Sequence, residues 1–102
     1  MNVTYTPQVR DDLRETYDYI ADVLHNPTAA KQITEKIIRT CGKLENHPRL
    51  GYSLQDRIGR ESDYRCLVCG KHIAFYRVAD DEVRIVRILD GRTDYLRILL
   101  HE

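Results

Sequence analysis

The sequence predicts an α+β domain in which a hairpin of two helices packs on a mainly antiparallel sheet. Two apolar stripes with helical spacing come early in the chain, and three β-rich runs separated by two or three residues follow. A short β-rich segment precedes the helices, so the predicted order is β-α-α-β-β-β with a short C-terminal helix. The 102 residues are 42% hydrophobic and fit one domain spanning 1–102.

The first strand and the first helix are predicted to meet at Thr6 and Pro7. Asn2–Thr6 is rich in β-forming residues, Thr6 suits an N-cap, and Pro7 suits the first helical position. Charged residues, Asp12 among them, are expected on the solvent side of this helix. Its apolar stripe has steps of three and four residues and consists of Val9, Leu13, Tyr17, Ile20 and Leu24.

A second helix is predicted to begin at Asn26–Pro27, with Asn26 as its cap. Because only a few residues separate the two helices, we expect an antiparallel hairpin. Residues 46–63 mix Gly, Pro, Ser, Asp and Arg without periodicity, and we predict an irregular connection there. The apolar stripe of the second helix is Ala30, Ile33, Ile37, Cys41 and Leu44.

Three strands are predicted in the second half of the chain. The short gaps between them indicate antiparallel neighbours. The helical hairpin is expected to cover one face of the sheet and to leave the other partly open. The predicted strands are Tyr64–Cys69, His72–Val78 and Glu82–Leu89, and Asp94–Leu100 is predicted as a short terminal helix or packed tail.

Arginine is the recurring charged residue of these strands. Strand alternation places Arg65 on the same face as Leu67, and Arg77 on the same face as Phe75. One interpretation is ion pairing with nearby carboxylates, because charged residues are rarely buried alone. The other is a face that binds an anionic partner. The strand arginines are Arg65, Arg77, Arg84 and Arg87, and the expected acidic partners are Asp80, Asp81, Glu82 and Asp90.

Arg92, Asp94 and Tyr95 directly follow the last strand. An arginine could stabilise charge on a phosphorane, and a tyrosine could help to move a proton, so this run could act on RNA. The interpretation that the spacing favours is structural. In that case Tyr95 packs at the edge of the core and Asp94 caps the last helix.

The run Cys66–Gly70, with His72 close by, resembles a zinc knuckle. On a regular strand, however, Cys66 and Cys69 point to opposite faces, and a second Cys-x-x-Cys pair is absent. We therefore interpret the cysteines as buried thiols and predict no metal. The glycines form no phosphate-cradling loop, so we expect no cofactor.

Composition bounds the class of protein. With 16 basic and 16 acidic residues the chain is neutral, which argues against non-specific binding to nucleic acid. No run approaches the roughly 18 apolar residues of a membrane span, and the first residues lack the pattern of a signal peptide. An odd count of three cysteines favours reduced thiols. We expect a soluble, cytoplasmic domain with no membrane partner.

The run Arg65–Val78 resembles the central signature of the RelE/ParE superfamily of toxins, and Ile85–Tyr95 resembles its last strand and ending. Tyr5–Pro7 and His47–Gly51 are similar to the family's opening and to its turn after the second helix. The resemblance covers most of the chain. It implies the toxin of a bacterial type II toxin–antitoxin pair, which arrests growth and is neutralised by a cognate antitoxin. Operator DNA would be bound only through the antitoxin.

The resemblance implies one of two mechanisms, and it leaves open whether the chain is an enzyme. RelE-like members cut mRNA on the ribosome, and that branch would make Arg65, Arg92 and Tyr95 catalytic. ParE-like members inhibit DNA gyrase without catalysis. The ending Arg92–Tyr95 and the neutral charge favour this branch. The expected binding residues are Arg77, Arg87 and Asp94. A third hypothesis is an inactive relative kept as an antitoxin-binding scaffold.

Overall fold

The computed structural model describes residues 1–100 as a five-stranded sheet with helices on both faces, which confirms the predicted α+β class. None of the helices in this range is long and apolar enough to cross a membrane. The strands are β1 Asn2–Tyr5, β2 Tyr52–Ser53, β3 Arg65–Cys69, β4 His72–Ala79 and β5 Glu82–Asp90. The helices are α1 Pro7–Asp18, α2 Pro27–Gly42, α3 Leu54–Ile58 and α4 Tyr95–Leu100.

The sheet places its first strand beside its last. The strand order is β1-β5-β4-β3-β2. Strand β1 runs parallel to β5, with Asn2 opposite Glu82 and Tyr5 opposite Ile85, whereas every other pair is antiparallel. Strand β1 pairs with only the first half of β5, so the second half of β5 has an edge that no strand within residues 1–100 covers.

The starts of both long helices were predicted correctly, but only one of the two predicted caps forms. Asn26 accepts a hydrogen bond from the Ala29 amide at 3.0 Å and caps α2. Thr6 has the extended backbone of an N-cap but makes no capping bond. Its hydroxyl donates instead to the Val86 carbonyl at 2.8 Å, because β5 lies beside it.

The first helix does not keep its apolar stripe as far as predicted. A π-helical turn over Tyr19–Val23 follows α1, and the Leu24 amide donates to the Tyr19 carbonyl five residues back. This wider turn rotates the helix surface, so Ile20 is buried but Leu24 is 55% exposed. His25 then takes a left-handed backbone (φ 54°) and ends the segment.

Apolar layers fill both sides of the sheet. The hairpin core lies between the sheet and the two long helices, and it contains Val9, Ile37, Cys41, Leu44, Leu67, Cys69, Ala74, Tyr76, Val83, Ile85 and Ile88. The second core lies on the opposite face and contains Leu54, Tyr64, Cys66, Ile73, Phe75, Leu89 and Leu99. Helices α3 and α4 therefore cover part of the face that the sequence led us to expect partly open.

The prediction of an irregular connection over residues 46–63 was wrong for its middle. Strand β2 and helix α3 lie there. The Ser53 side chain accepts a bond from the Asp56 amide at the start of α3, and Gly59 ends the helix with a left-handed φ of 71°. Elements of two and five residues are too short to show a period in the sequence.

A β-bulge breaks the alternation of β5. Phe75 of β4 lies opposite Arg87, but the next residue, Tyr76, lies opposite Ile85, so Val86 is the extra residue. Ile85 and Ile88 consequently both face the hairpin core, although strict alternation would place them on opposite faces. The bulge thus resets which residues in the second half of β5 face the helices.

Gly51 has no room for a side chain. Its amide donates to the buried Tyr76 hydroxyl at 3.0 Å, and a Cβ added there would lie 2.5 Å from the Cys66 carbonyl oxygen. By contrast, a Cβ added at Gly42, the last residue of α2, would meet no atom within 4 Å.

We expect Gly51→Ala to lower the free energy of unfolding by about 2 kcal/mol, because the β3 backbone must shift to admit the methyl group. The matched variant Gly42→Ala should raise it by about 0.5 kcal/mol, because alanine favours a helix more than glycine does. Urea unfolding followed by circular dichroism measures both. Equal midpoints for the two variants would contradict the packing described for Gly51.

Candidate functional site

The Arg65 side chain binds the loop that precedes β2. It lies opposite Tyr76, whose side chain belongs to the hairpin core, so both face the helices. The Arg65 guanidinium donates through Nη2 to the carbonyls of Arg49 and Gly51. Its Nε atom is buried and has no hydrogen-bond partner within residues 1–100. This arginine is therefore engaged with backbone rather than presented to a substrate.

The side chain of Tyr95 packs against the protein core, whereas that of Arg92 lies at the surface. The Tyr95 ring packs on Phe75 at 5.1 Å between centroids, in the second core. Arg92 is 78% exposed and clamps Asp90, with Nη2–Oδ2 2.8 Å and Nε–Oδ1 3.1 Å. Hydrogen bonds from this guanidinium, and then from the Arg92 amide, hold the pKa of Asp90 well below its usual value.

The structure does not bring Arg65, Arg92 and Tyr95 together. Asp90 lies opposite His72, and His72 lies opposite Cys69. Arg65 is four residues from Cys69 along β3, a separation of about 13 Å. Arg65 also faces the hairpin core, whereas Tyr95 packs on the opposite face. A single phosphate cannot contact all three side chains in this arrangement.

Within residues 1–100, three of the four strand arginines pair with carboxylates, but only one of them pairs with an expected partner. Arg84 pairs with Glu82 at 3.0 Å, as predicted, whereas Asp90 pairs with Arg92, which follows the last strand. Arg77 instead pairs with Asp63 at 2.9 Å. Its guanidinium also lies over the Tyr64 ring, 4.1 Å from the centroid, so it shares the second-core face with Phe75 as predicted. The predicted binding residue Asp94 is exposed, directly before α4.

Arg87 forms an ion pair with Asp12 of α1. Its Nε and Nη2 each donate to the Asp12 carboxylate at 2.9 Å, and Asp12 Oδ2 also accepts from the Ile88 amide at 2.9 Å. Hydrogen bonding to Asp12 raises the pKa of the Arg87 guanidinium. The expectation that Asp12 faces solvent was wrong, since it is 7% exposed and is the one charged side chain buried within residues 1–100.

Asp12 is buried because its carboxylate accepts a backbone hydrogen bond from β5. Strand β1 stops pairing at Ile85, so the Ile88 amide points to an edge without a neighbouring strand. The carboxylate supplies the missing acceptor, and Arg87 neutralises its charge. The sequence signal for this pair is the broken alternation of residues 85–89, where two apolar residues stand on each side of Arg87.

The cysteines form no metal site. Cys66 lies in the second core and Cys69 in the hairpin core, which confirms that they face opposite sides of β3. Among residues 1–100 no group of three His, Cys, Asp or Glu side chains is placed to hold a metal ion.

The outer surface of the first helix is acidic. An open depression of about 500 Å³ there is lined by four carboxylates and one arginine, together with two largely exposed side chains, Tyr19 and Val23. The charged residues are Asp11, Arg14, Glu15, Asp18 and Asp22. This surface repels a polyanion and presents apolar atoms beside its carboxylates.

The sequence analysis left open whether the chain is RelE-like or ParE-like. Comparison with models of protein families assigns the family. The family model described as "ParE toxin of type II toxin-antitoxin system, parDE" matches residues 3–95, from β1 to the first residue of α4. The chain belongs to the ParE toxin family. The match includes Asp12, Arg65, Arg87 and Arg92.

Solved structures include a close match to this ParE-family fold. A chain described as "Chromosomal ParDE TA system from P. aeruginosa" superposes with a TM-score of 0.74 at 24% sequence identity. The alignment covers 88% of the present chain and 95% of that chain. At this identity the likeness establishes the fold. A search of curated proteins gives no match.

We expect Asp12→Ala to lower the free energy of unfolding by about 2–3 kcal/mol. It leaves the Ile88 amide without an acceptor and the Arg87 charge without its counterion. The matched variant Asp11→Ala removes an exposed carboxylate of the same helix and should change the value by less than about 0.5 kcal/mol. Both are measured by urea unfolding at pH 7. Equal midpoints for the two variants would contradict a structural role for Asp12.

We expect Arg92→Ala to raise the pKa of Asp90 toward its ordinary value of about 3.9, because the guanidinium that stabilises the carboxylate is removed. In the wild type the folded pKa lies below the unfolded one. The resulting stabilisation is present above about pH 4 and is lost as the pH falls further. Carboxyl NMR titration measures the shift, with Arg10→Ala on α1 as control. An unchanged Asp90 titration in Arg92→Ala would refute the pairing.

Proposed function

We propose that this chain is the toxin of a type II toxin–antitoxin pair, and that it arrests growth by binding and inhibiting DNA gyrase. Membership of the ParE toxin family carries the proposal. The chain acts as a binding protein in this proposal, and it therefore needs an exposed contact surface rather than a catalytic centre.

The placement of the candidate catalytic residues supports binding over catalysis. Cleavage of mRNA would need a guanidinium and a proton-transferring group around one phosphate. Arg65 is instead bound to the carbonyls of a loop, and Tyr95 packs on Phe75 on the other face of the sheet. A neutral chain with an acidic first helix also suits a protein target better than RNA.

The exposed ending of β5 is the part of the surface that we propose for target contact. Arg92 and Asp94 are exposed there, beside the start of α4. Arg77 lies on the second-core face, and its Nη nitrogens make no hydrogen bond within residues 1–100. We assign Arg87 a different role from the one expected, because its guanidinium holds α1 through Asp12.

We also propose that a cognate antitoxin neutralises the chain, and that operator DNA is contacted only through that antitoxin. Large apolar side chains remain exposed for a protein partner at the end of the first helix, where Tyr19, Val23 and Leu24 are each more than half exposed. Because its target would be DNA gyrase, we expect the chain to act in the cytoplasm.

The test is induced expression in bacteria with DNA and protein synthesis pulse-labelled separately over the first minutes. We expect DNA synthesis to fall first, with double-strand breaks, because a poisoned gyrase leaves cleaved DNA. Co-expression of the cognate antitoxin should prevent both effects. If protein synthesis falls first and mRNA is cut at codon boundaries, the RelE-like mechanism is correct. Absence of any growth effect would favour an inactive scaffold.

A pair of Tyr95 variants separates chemistry from packing. Tyr95→Phe removes the hydroxyl and keeps the ring on Phe75, whereas Tyr95→Ala also removes the ring. A gyrase-binding toxin should keep full toxicity with Tyr95→Phe. A nuclease that relies on this hydroxyl should lose roughly 10²-fold in rate or more. Loss of toxicity in Tyr95→Phe, with normal folding, would overturn the proposed mechanism.

A further inference from the structure

Two of the three cysteines meet inside the hairpin core. Cys41 lies in the last turn of α2 and is fully buried, and Cys69 ends β3 and is 4% exposed. Both belong to the apolar layer between α2 and the sheet, and their thiols interact side chain to side chain. Cys66 is separated from this pair by the sheet, because it lies in the second core.

The surroundings of the pair give the two thiols different roles. The pKa of Cys69 is lowered, first by a hydrogen bond from the Cys41 thiol and further by the Ala74 backbone and the charges of Lys36 and Lys43. The pKa of Cys41 is raised, because it donates to Cys69 and is buried. Of the two thiols, Cys69 is the one that ionises more readily, and in its protonated form it donates to the Leu67 carbonyl at 3.6 Å.

Cys69 also has a route to solvent. Strand β2 pairs only with Arg65 and Cys66, so in the described part of the chain the rest of the outer edge of β3 has no neighbouring strand. Val68 beside Cys69 is 56% exposed, and a turn with Gly70 at positive φ follows. Local opening at such a strand end needs less free energy than global unfolding, so a small oxidant can reach the sulfur.

We propose that Cys41 and Cys69 form a site of reversible oxidation, at which a peroxide converts the buried dithiol into a disulfide that ties α2 to β3. The Cys69 thiolate attacks hydrogen peroxide, which breaks the O–O bond and gives a sulfenic acid and hydroxide; that hydroxide takes up a proton to become water. The Cys41 sulfur then attacks the sulfenic sulfur, and its proton leaves with the displaced hydroxide as a second water. Two thiols lose two electrons to one peroxide, and a thiol reductant reverses the change.

The experiment treats the folded full chain with hydrogen peroxide, labels the remaining thiols with a maleimide in denaturant, and measures the intact mass. We expect a chain lighter by two hydrogens that carries one label instead of three. The oxidised chain should melt on the order of 10 °C higher, because the disulfide closes a loop between two elements of the core. Dithiothreitol should restore three labels and the original melting temperature.

Cys66→Ala is the control variant, because it keeps the Cys41–Cys69 pair. It also makes the peptide mapping of the disulfide unambiguous. Trypsin releases Cys41 in fragment 40–43, but Cys66 and Cys69 together in fragment 66–71. In Cys66→Ala the cross-linked pair of fragments can come only from Cys41 and Cys69, and no label should remain after oxidation. Cys41→Ala should form no intramolecular disulfide.

Three outcomes would overturn the proposal: three free thiols after peroxide, a cross-link that requires Cys66, or a cross-link that forms only in denaturant. The wild-type labelling needs no variant, so a poorly folded mutant does not obscure the answer. The site does not depend on the proposed inhibition of gyrase, and the measurement uses neither gyrase nor growth.

Discussion

The carboxylate of Asp12 is the contact on which the architecture depends. It lies in α1 but completes β5, since it accepts the Ile88 amide where β1 no longer runs alongside, and Arg87 balances its charge. One buried group thus ties the first helix to the uncovered edge of β5, just beyond the bulge at Val86. A charge in this position is stabilising only because all three donors are present.

The arginines of this ParE-family chain are mostly occupied within the protein. Arg65 holds a loop through its carbonyls, Arg87 holds a helix, and Arg92 holds the turn after β5 through Asp90. Arginine suits these positions because its planar fork makes two directed hydrogen bonds to carboxylate or carbonyl oxygen. In a nuclease the same arginines would have to contact one phosphate. Arginines at these positions of the fold therefore do not by themselves indicate a nuclease.

The sequence predicted the framework better than the contacts. Hydrophobic spacing located both long helices and the three antiparallel strands, and the opposite facing of Cys66 and Cys69 followed from the strand period. What it missed depends on tertiary structure. The burial of Asp12 depends on β1 ending early, the exposure of Leu24 depends on a π-helical turn, and the Cys41–Cys69 contact joins residues on different elements. No local pattern records where a distant strand stops.

The parallel pairing of β1 with β5 has a consequence for the order of events during synthesis. The hydrogen bond between Thr4 and Glu82 joins residues 78 positions apart, and the one between Asp12 and the Ile88 amide joins residues 76 positions apart. The helical hairpin emerges from the ribosome first, yet its first strand and its buried acid have no partners until nearly all of the chain has been made. Pairings between residues so far apart in sequence form slowly, because the long loop must close before the contacts stabilise it. A nascent chain interrupted before β5 therefore lacks both the neighbour of β1 and the amide that donates to Asp12.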